Sequence, residues 1–122
     1  MRLIVVEDDA AIRRMLLWFL ESYGADVDLV EDSEGTLEAI QRGWPDAILL
    51  DLSLEHEDGE KVRDAILKKF NRTPPLVVLS GVTDAERRLQ SFPGAAFLAK
   101  PFRLEELAKA LQEFIHPRAM AS

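Results

Sequence analysis

The sequence predicts an α/β domain: a parallel, doubly wound sheet covered by helices on both faces. Three observations predict it. Five short apolar runs alternate with stretches of helical period along the chain. The runs are apolar at consecutive positions, as strands buried on both faces require. Most of them run out into polar or charged residues, at the sheet edge where such folds place their ligands.

The first strand, Leu3–Val6, leads through Glu7-Asp8-Asp9 into a helix. There Ile12, Met15, Leu16, Phe19 and Leu20 recur at i, i+3, i+4, i+7 and i+8, marking one apolar face, and Gly24 suits the C′ position beyond it. Val27–Val30 is the second strand, and Asp32 or Ser33 can cap the next helix, whose stripe is Leu37 and Ile40. Ala47–Leu50 forms the third strand and runs straight into Asp51. Val62, Ala65, Ile66 and Phe70 mark the third helix, after which Pro74-Pro75 force an extended approach to the fourth strand, Leu76–Leu79. A fourth helix is expected around Asp84 to Ser91, short and polar, with Leu89 as its main apolar contact. The fifth strand is expected at Ala95–Leu98, and the last helix is marked by Leu104, Leu107, Ala108, Leu111 and Ile115. Residues from His116 onward lack a pattern, so the domain is expected over 1–116 with a frayed tail at 117–122.

Composition narrows the classes of function. At 122 residues the chain suits one domain with one core, and 48% apolar with 30% charged residues argues against disorder. The longest apolar run, MLLWFL, falls far short of the roughly 20 residues that span a bilayer, so no membrane insertion is expected. Without cysteine there is no disulfide framework and no thiolate metal site, and a cytoplasmic location is expected. The net charge is −7, and the basic pairs Arg13-Arg14, Lys68-Lys69 and Arg87-Arg88 are scattered. Direct binding of nucleic acid is therefore not expected. Acidity suits a metal site or a basic partner equally well.

The strand ends carry the chemistry. Glu7, Asp8 and Asp9 follow the first strand, Asp51 the third, Ser80 the fourth and Lys100 the fifth. Asp51 follows four apolar residues, where a charge is costly unless it is paired or used. Carboxylates gathered at one edge repel each other unless a cation neutralises them. Oxygen ligands without His or Cys suit a hard cation, Mg²⁺. A carboxylate is also a nucleophile that forms an aspartyl-phosphate. Transfer of a phosphoryl group then needs its peripheral oxygens neutralised, here by Mg²⁺, by the Lys100 ammonium and by the Ser80 hydroxyl or a backbone N–H. Asp51 would be the acceptor.

The motifs VVEDD, LLDLSL…DG, VVLSG and FLAKPF, in this order and spacing, resemble the receiver domain of two-component response regulators from Arg2 to about Ile115. The resemblance implies a flavodoxin-like (βα)₅ fold with strand order 2-1-3-4-5. It implies phosphorylation of Asp51 by a histidine kinase or histidine phosphotransfer protein, with Mg²⁺ as cofactor. Asp8 and Asp51 would bind the metal directly, Glu7 through water and Ser53 through its backbone carbonyl. Ser80 and Lys100 would bond phosphoryl oxygens. Phe97 would be the switch aromatic that turns inward with Ser80, and Lys100-Pro101 would be a cis peptide. The activity would be confined to the domain's own phosphorylation and dephosphorylation, and the output would be a downstream protein target. Oligomeric state is left open.

Three departures stand out. The family's usual Pro four residues after the phosphorylated Asp is Glu55 here, followed by His56 and Glu57. The segment from Ser80 to Lys100 is about two residues short, so the fourth helix should be short or distorted. Ser53 and Val82 occupy positions that tune phosphoryl lifetime in the family. An unphosphorylated pseudo-receiver acting as a protein-binding scaffold is therefore the alternative. A phosphohydrolase of external substrates would want a second Asp where Ser53 stands, and EDD after the first strand would repel a flavin phosphate. Leu17 and Trp18 fall off the core stripe of the first helix, at positions that would normally be polar. They mark a partner surface, on the helix that in this family commonly meets the kinase or phosphotransfer helices.

Overall fold

A computed structural model describes residues 1–54, 58–81 and 90–121, the stretch 113–121 by its backbone. The elements are β1 (Arg2–Val6), α1 (Ala10–Ser22), β2 (Asp26–Val30), α2 (Ser33–Arg42), β3 (Ala47–Asp51), α3 (Gly59–Phe70), β4 (Leu76–Gly81), β5 (Ala96–Lys100) and α4 (Leu104–Ala121). All strand pairs are parallel, in the order β2-β1-β3-β4-β5. This is the doubly wound sheet that the alternation of elements predicts, in the flavodoxin-like strand order that the family resemblance implies.

Strand pleating divides the core in two. Leu3 and Val5 of β1 and Leu49 of β3 point to one face, where Leu16, Phe19 and Leu20 of α1 and Leu107 and Leu111 of α4 cover them. Ile4, Val6, Ile48 and Leu50 point to the other, against Ala39 and Ile40 of α2 and Val62 and Ile66 of α3. β3 is buried along its whole length, whereas β2, at the edge, keeps Asp26 exposed.

Caps fix the helices close to their expected limits. Asp9 accepts from the N–H groups of Ala11 and Ile12 at 2.9 and 3.1 Å, and Asp32 from Gly35 at 2.8 Å. At the end of α1, Gly24 has φ +83° while its N–H bonds the Glu21 carbonyl and the Ala25 N–H bonds that of Leu20, a Schellman closure.

Three expectations are corrected. β5 begins at Ala96 and runs to Lys100, because Ala95 belongs to a turn closed by its N–H on the Phe92 carbonyl. Helical backbone is described as far as Ala121. Pro117 removes one ladder donor, but Arg118, Ala119 and Met120 favour the helix, and a helix end need not bury a stripe. Met15, placed with the core stripe, is 42% exposed. It lines an open cleft of about 420 Å³ with Ile12, Leu79, Lys100, Pro101 and Phe102. Leu17 is half-buried rather than exposed: it lies roughly 100° round the helix from Leu16, at the border of the buried face. The helix expected around Asp84 to Ser91 lies largely outside the described residues, as do Glu55, His56, Glu57, Val82 and Leu89.

Candidate functional site

Parallel register brings the C-terminal ends of the strands to one edge. Val6 pairs with Leu50, Asp51 with Leu79 and Gly81 with Lys100. Asp51 closes β3, the central strand, and is 2% exposed. The chain then makes one more sheet bond, from the Leu52 N–H to the Leu79 carbonyl at 3.0 Å. The next N–H, of Ser53, turns back onto Asp51 Oδ1 at 2.9 Å. Lys100 Nζ reaches the same oxygen at 3.0 Å and stands 3.9 Å from Glu7 Oε2.

Glu7 follows β1, its N–H bonded to the Val30 carbonyl at 3.1 Å. Its side chain is buried; Oε1 accepts from the Asp9 N–H at 3.2 Å, while Oε2 has no hydrogen-bond partner among the described residues. One carboxylate oxygen each from Glu7, Asp8 and Asp51 lie within 4.8 Å of one another.

Among the described residues, three carboxylates against the Lys100 ammonium leave two negative charges in a largely buried space. Glu7 absorbs the strain: its pKa is pushed up from 4.5 to about 7, first by burial and then by the Asp51 carboxyl group close beside it. The Asp9 N–H and Lys100 pull the other way. A divalent cation relieves the same repulsion. The unpartnered Oε2, the charge of two and the all-oxygen donor set fit one.

The structure thus brings together Glu7, Asp8, Asp51 and Lys100, with Ser53 joined through its backbone. Ser80 is buried one residue beyond the Asp51 register, its hydroxyl donating to the Gly81 carbonyl at 3.3 Å. Phe97, half-buried on β5, pairs in register with Val78. The Lys100-Pro101 peptide is cis. Trp18 is 70% exposed, on the side of α1 away from Leu16, whereas Leu17 is half-buried. Sequence reasoning missed Phe92. It is buried, meets Phe97 edge-to-face at 6.3 Å between centroids, and carries the Arg63 guanidinium 4.8 Å over its ring. Because it stands in a turn just before Pro93, no periodic signal marks it.

The family model for the response regulator receiver domain matches residues 3–112. Response regulator MprA of Mycobacterium leprae is 32% identical over 94% of this chain and 51% of its own length. The phosphate regulon transcriptional regulatory protein PhoB of Escherichia coli is 32% identical over 98% of this chain and 55% of its own. The chain spans about half the length of these curated relatives. Among solved structures, the receiver domain of a sensor histidine kinase from Pseudomonas aeruginosa superposes with a TM-score of 0.81 and 32% identity, covering 94% of this chain and 97% of that one. That structure holds a magnesium ion in its active-site cleft. Chemotaxis response regulator CheY4 of Vibrio cholerae gives a TM-score of 0.79 at 28% identity, over 93% of this chain and 97% of its own.

Proposed function

This chain belongs to the response regulator receiver domain family, and we propose that it is a phosphorylation-controlled signalling module whose acceptor is Asp51. The donor would be a phosphohistidine on a histidine kinase or histidine phosphotransfer protein. One observation carries the proposal: a buried carboxylate at the end of the central strand, held at 3.0 Å by a lysine and flanked by two more carboxylates.

An Asp51 oxygen attacks phosphorus, the P–N bond of the phosphohistidine breaks, and the imidazole leaves with the electron pair. The Ser53 N–H and the Lys100 ammonium hold the carboxylate in place for the attack. Lys100 then follows the charge onto a phosphoryl oxygen, and the Ser80 hydroxyl turns from the Gly81 carbonyl to another. Asp8, Asp51 and the Ser53 carbonyl, with Glu7 through water, would hold Mg²⁺, which when bound supplies further charge neutralisation at the phosphoryl group. The only chemistry is the domain's own phosphorylation and its hydrolysis; no external substrate is required.

The switch would be a population shift between two packings, with Phe97 turning inward as Ser80 moves. A downstream protein would read the result, without direct contact to nucleic acid. Trp18, a large exposed apolar side chain on α1, would meet the helices of the phosphodonor. A cytoplasmic location goes with this role.

Beryllofluoride, which mimics a phosphoryl group on a carboxylate, tests the proposal. With Mg²⁺ it should shift the backbone resonances of Asp51, Ser80 and Lys100, and the Asp51→Asn variant should show no shift. Silence in the unaltered chain would favour a protein-binding scaffold that is never phosphorylated.

A further inference from the structure

Gly59 begins α3 directly against the end of β3, capped by Asp58, which accepts from the Glu60 N–H at 3.2 Å. A Cβ at position 59 would stand 2.5 Å from Leu52 Cδ2, 3.2 Å from Leu52 Cα and 3.4 Å from the Asp51 carbonyl oxygen. Backbone conformation does not call for glycine there. The glycines with positive φ are Gly24 and Gly94, and position 59 is helical. What calls for glycine is space. Leu52 has little room to yield, since it is buried in the cluster that holds Val62 and Ile66 of the same helix.

Leu52 is joined to the site on both sides. Its N–H makes the last bond to β4, on the Leu79 carbonyl. The following N–H, of Ser53, holds Asp51 Oδ1 at 2.9 Å, the oxygen that Lys100 approaches to 3.0 Å. A push on Leu52 is therefore a push on the donor that orients the acceptor carboxylate. We propose that Gly59 is a positioning residue. The side chain it lacks lets α3 seat against Leu52, and that seat keeps the Ser53 N–H on Asp51. The kinetic part of this inference rests on Asp51 being the phosphoryl acceptor; the geometric part does not.

The test compares Gly59→Ala, Leu52→Ala and the double variant in the full chain. Three readouts are the Ser53 amide resonance without metal, Mg²⁺ affinity by calorimetry and the rate of phosphorylation by acetyl phosphate. Gly59→Ala should displace the Ser53 resonance, weaken Mg²⁺ binding and slow phosphorylation on the order of tenfold to a hundredfold, the scale of misplacement by up to about 1 Å. Removing the Leu52 side chain removes the tightest clash, so the double variant should approach Leu52→Ala alone in all three. Unchanged readouts in Gly59→Ala would overturn the inference, as would a double variant that stays well below Leu52→Ala. If Gly59→Ala does not fold, the double variant against Leu52→Ala decides by the same criterion. If the unaltered chain accepts no phosphoryl group, the acceptor role of Asp51 fails, while the Ser53 resonance and Mg²⁺ affinity still decide the role of Gly59.

Discussion

Lys100 is bound to Asp51 far more closely than to Glu7: its Nζ stands 3.0 Å from Asp51 Oδ1 and 3.9 Å from Glu7 Oε2. The ammonium therefore neutralises the central carboxylate and leaves Glu7 to be satisfied by a proton or a cation. That division of labour has consequences for stability, for metal affinity and for pH.

Lys100→Met should lower stability by about 1–3 kcal/mol in metal-free buffer, since it strips a buried carboxylate of its ammonium partner. The lysine is 27% exposed on its side chain, so solvent screening keeps the loss toward the lower end. Mg²⁺ affinity should rise, because the site then carries three negative charges instead of two. Urea unfolding in chelator and calorimetric Mg²⁺ titration check the two signs.

Glu7→Gln should flatten the pH dependence of stability. The folded-state pKa of Glu7, about 7, stands above its ordinary 4.5. Its contribution to stability is thus fully present below about pH 4.5 and is lost as pH rises through about 7. At roughly 1.4 kcal/mol per pKa unit the loss is on the order of 3 kcal/mol. Metal-free unfolding from pH 5 to 8 should show this decline in the unaltered chain and little of it in the variant. Mg²⁺ should bind the unaltered chain more tightly as pH rises over the same range, because cation and proton compete for Glu7.

Trp18→Ala should weaken the phosphohistidine donor on the order of tenfold, the scale of a single aromatic anchor in an interface. Phosphorylation by acetyl phosphate should keep its rate, because the side chain projects away from the core, 70% exposed. Parallel kinetics with the two donors separate the effects. Equal slowing by both would remove Trp18 from the partner surface.

Phe92→Ala should cost about 3–5 kcal/mol, the usual range for emptying a buried aromatic site. The ring is 2% exposed and holds Arg63 on one side and Phe97 on another. Chemical denaturation measures the loss, and an unchanged midpoint would show that the surrounding chain collapses into the space.

The sheet was legible because its strands are buried on both faces, so runs such as Ala47–Leu50 leave little else to fold into. The site was legible for a related reason: Asp51 directly after such a run, and Lys100 before a proline, are charges with no cheap structural use. What stayed hidden depends on how elements meet. Met15 has the right phase for the core, but at its level α1 faces an open cleft rather than the sheet. Leu17 has the wrong phase and is half-covered all the same. Phe92 and the close approach at Gly59 belong to turns and junctions, where spacing along the chain says little about distance in space.

The most direct measurement is the intact mass of the protein after incubation with acetyl phosphate and Mg²⁺. A gain of about 80 Da, one phosphoryl group, that disappears in Asp51→Asn and in chelator is the predicted result. Because a short-lived adduct would escape detection, beryllofluoride binding in the same buffer accompanies it. No gain together with no beryllofluoride binding, or a gain that persists in Asp51→Asn, would contradict the account.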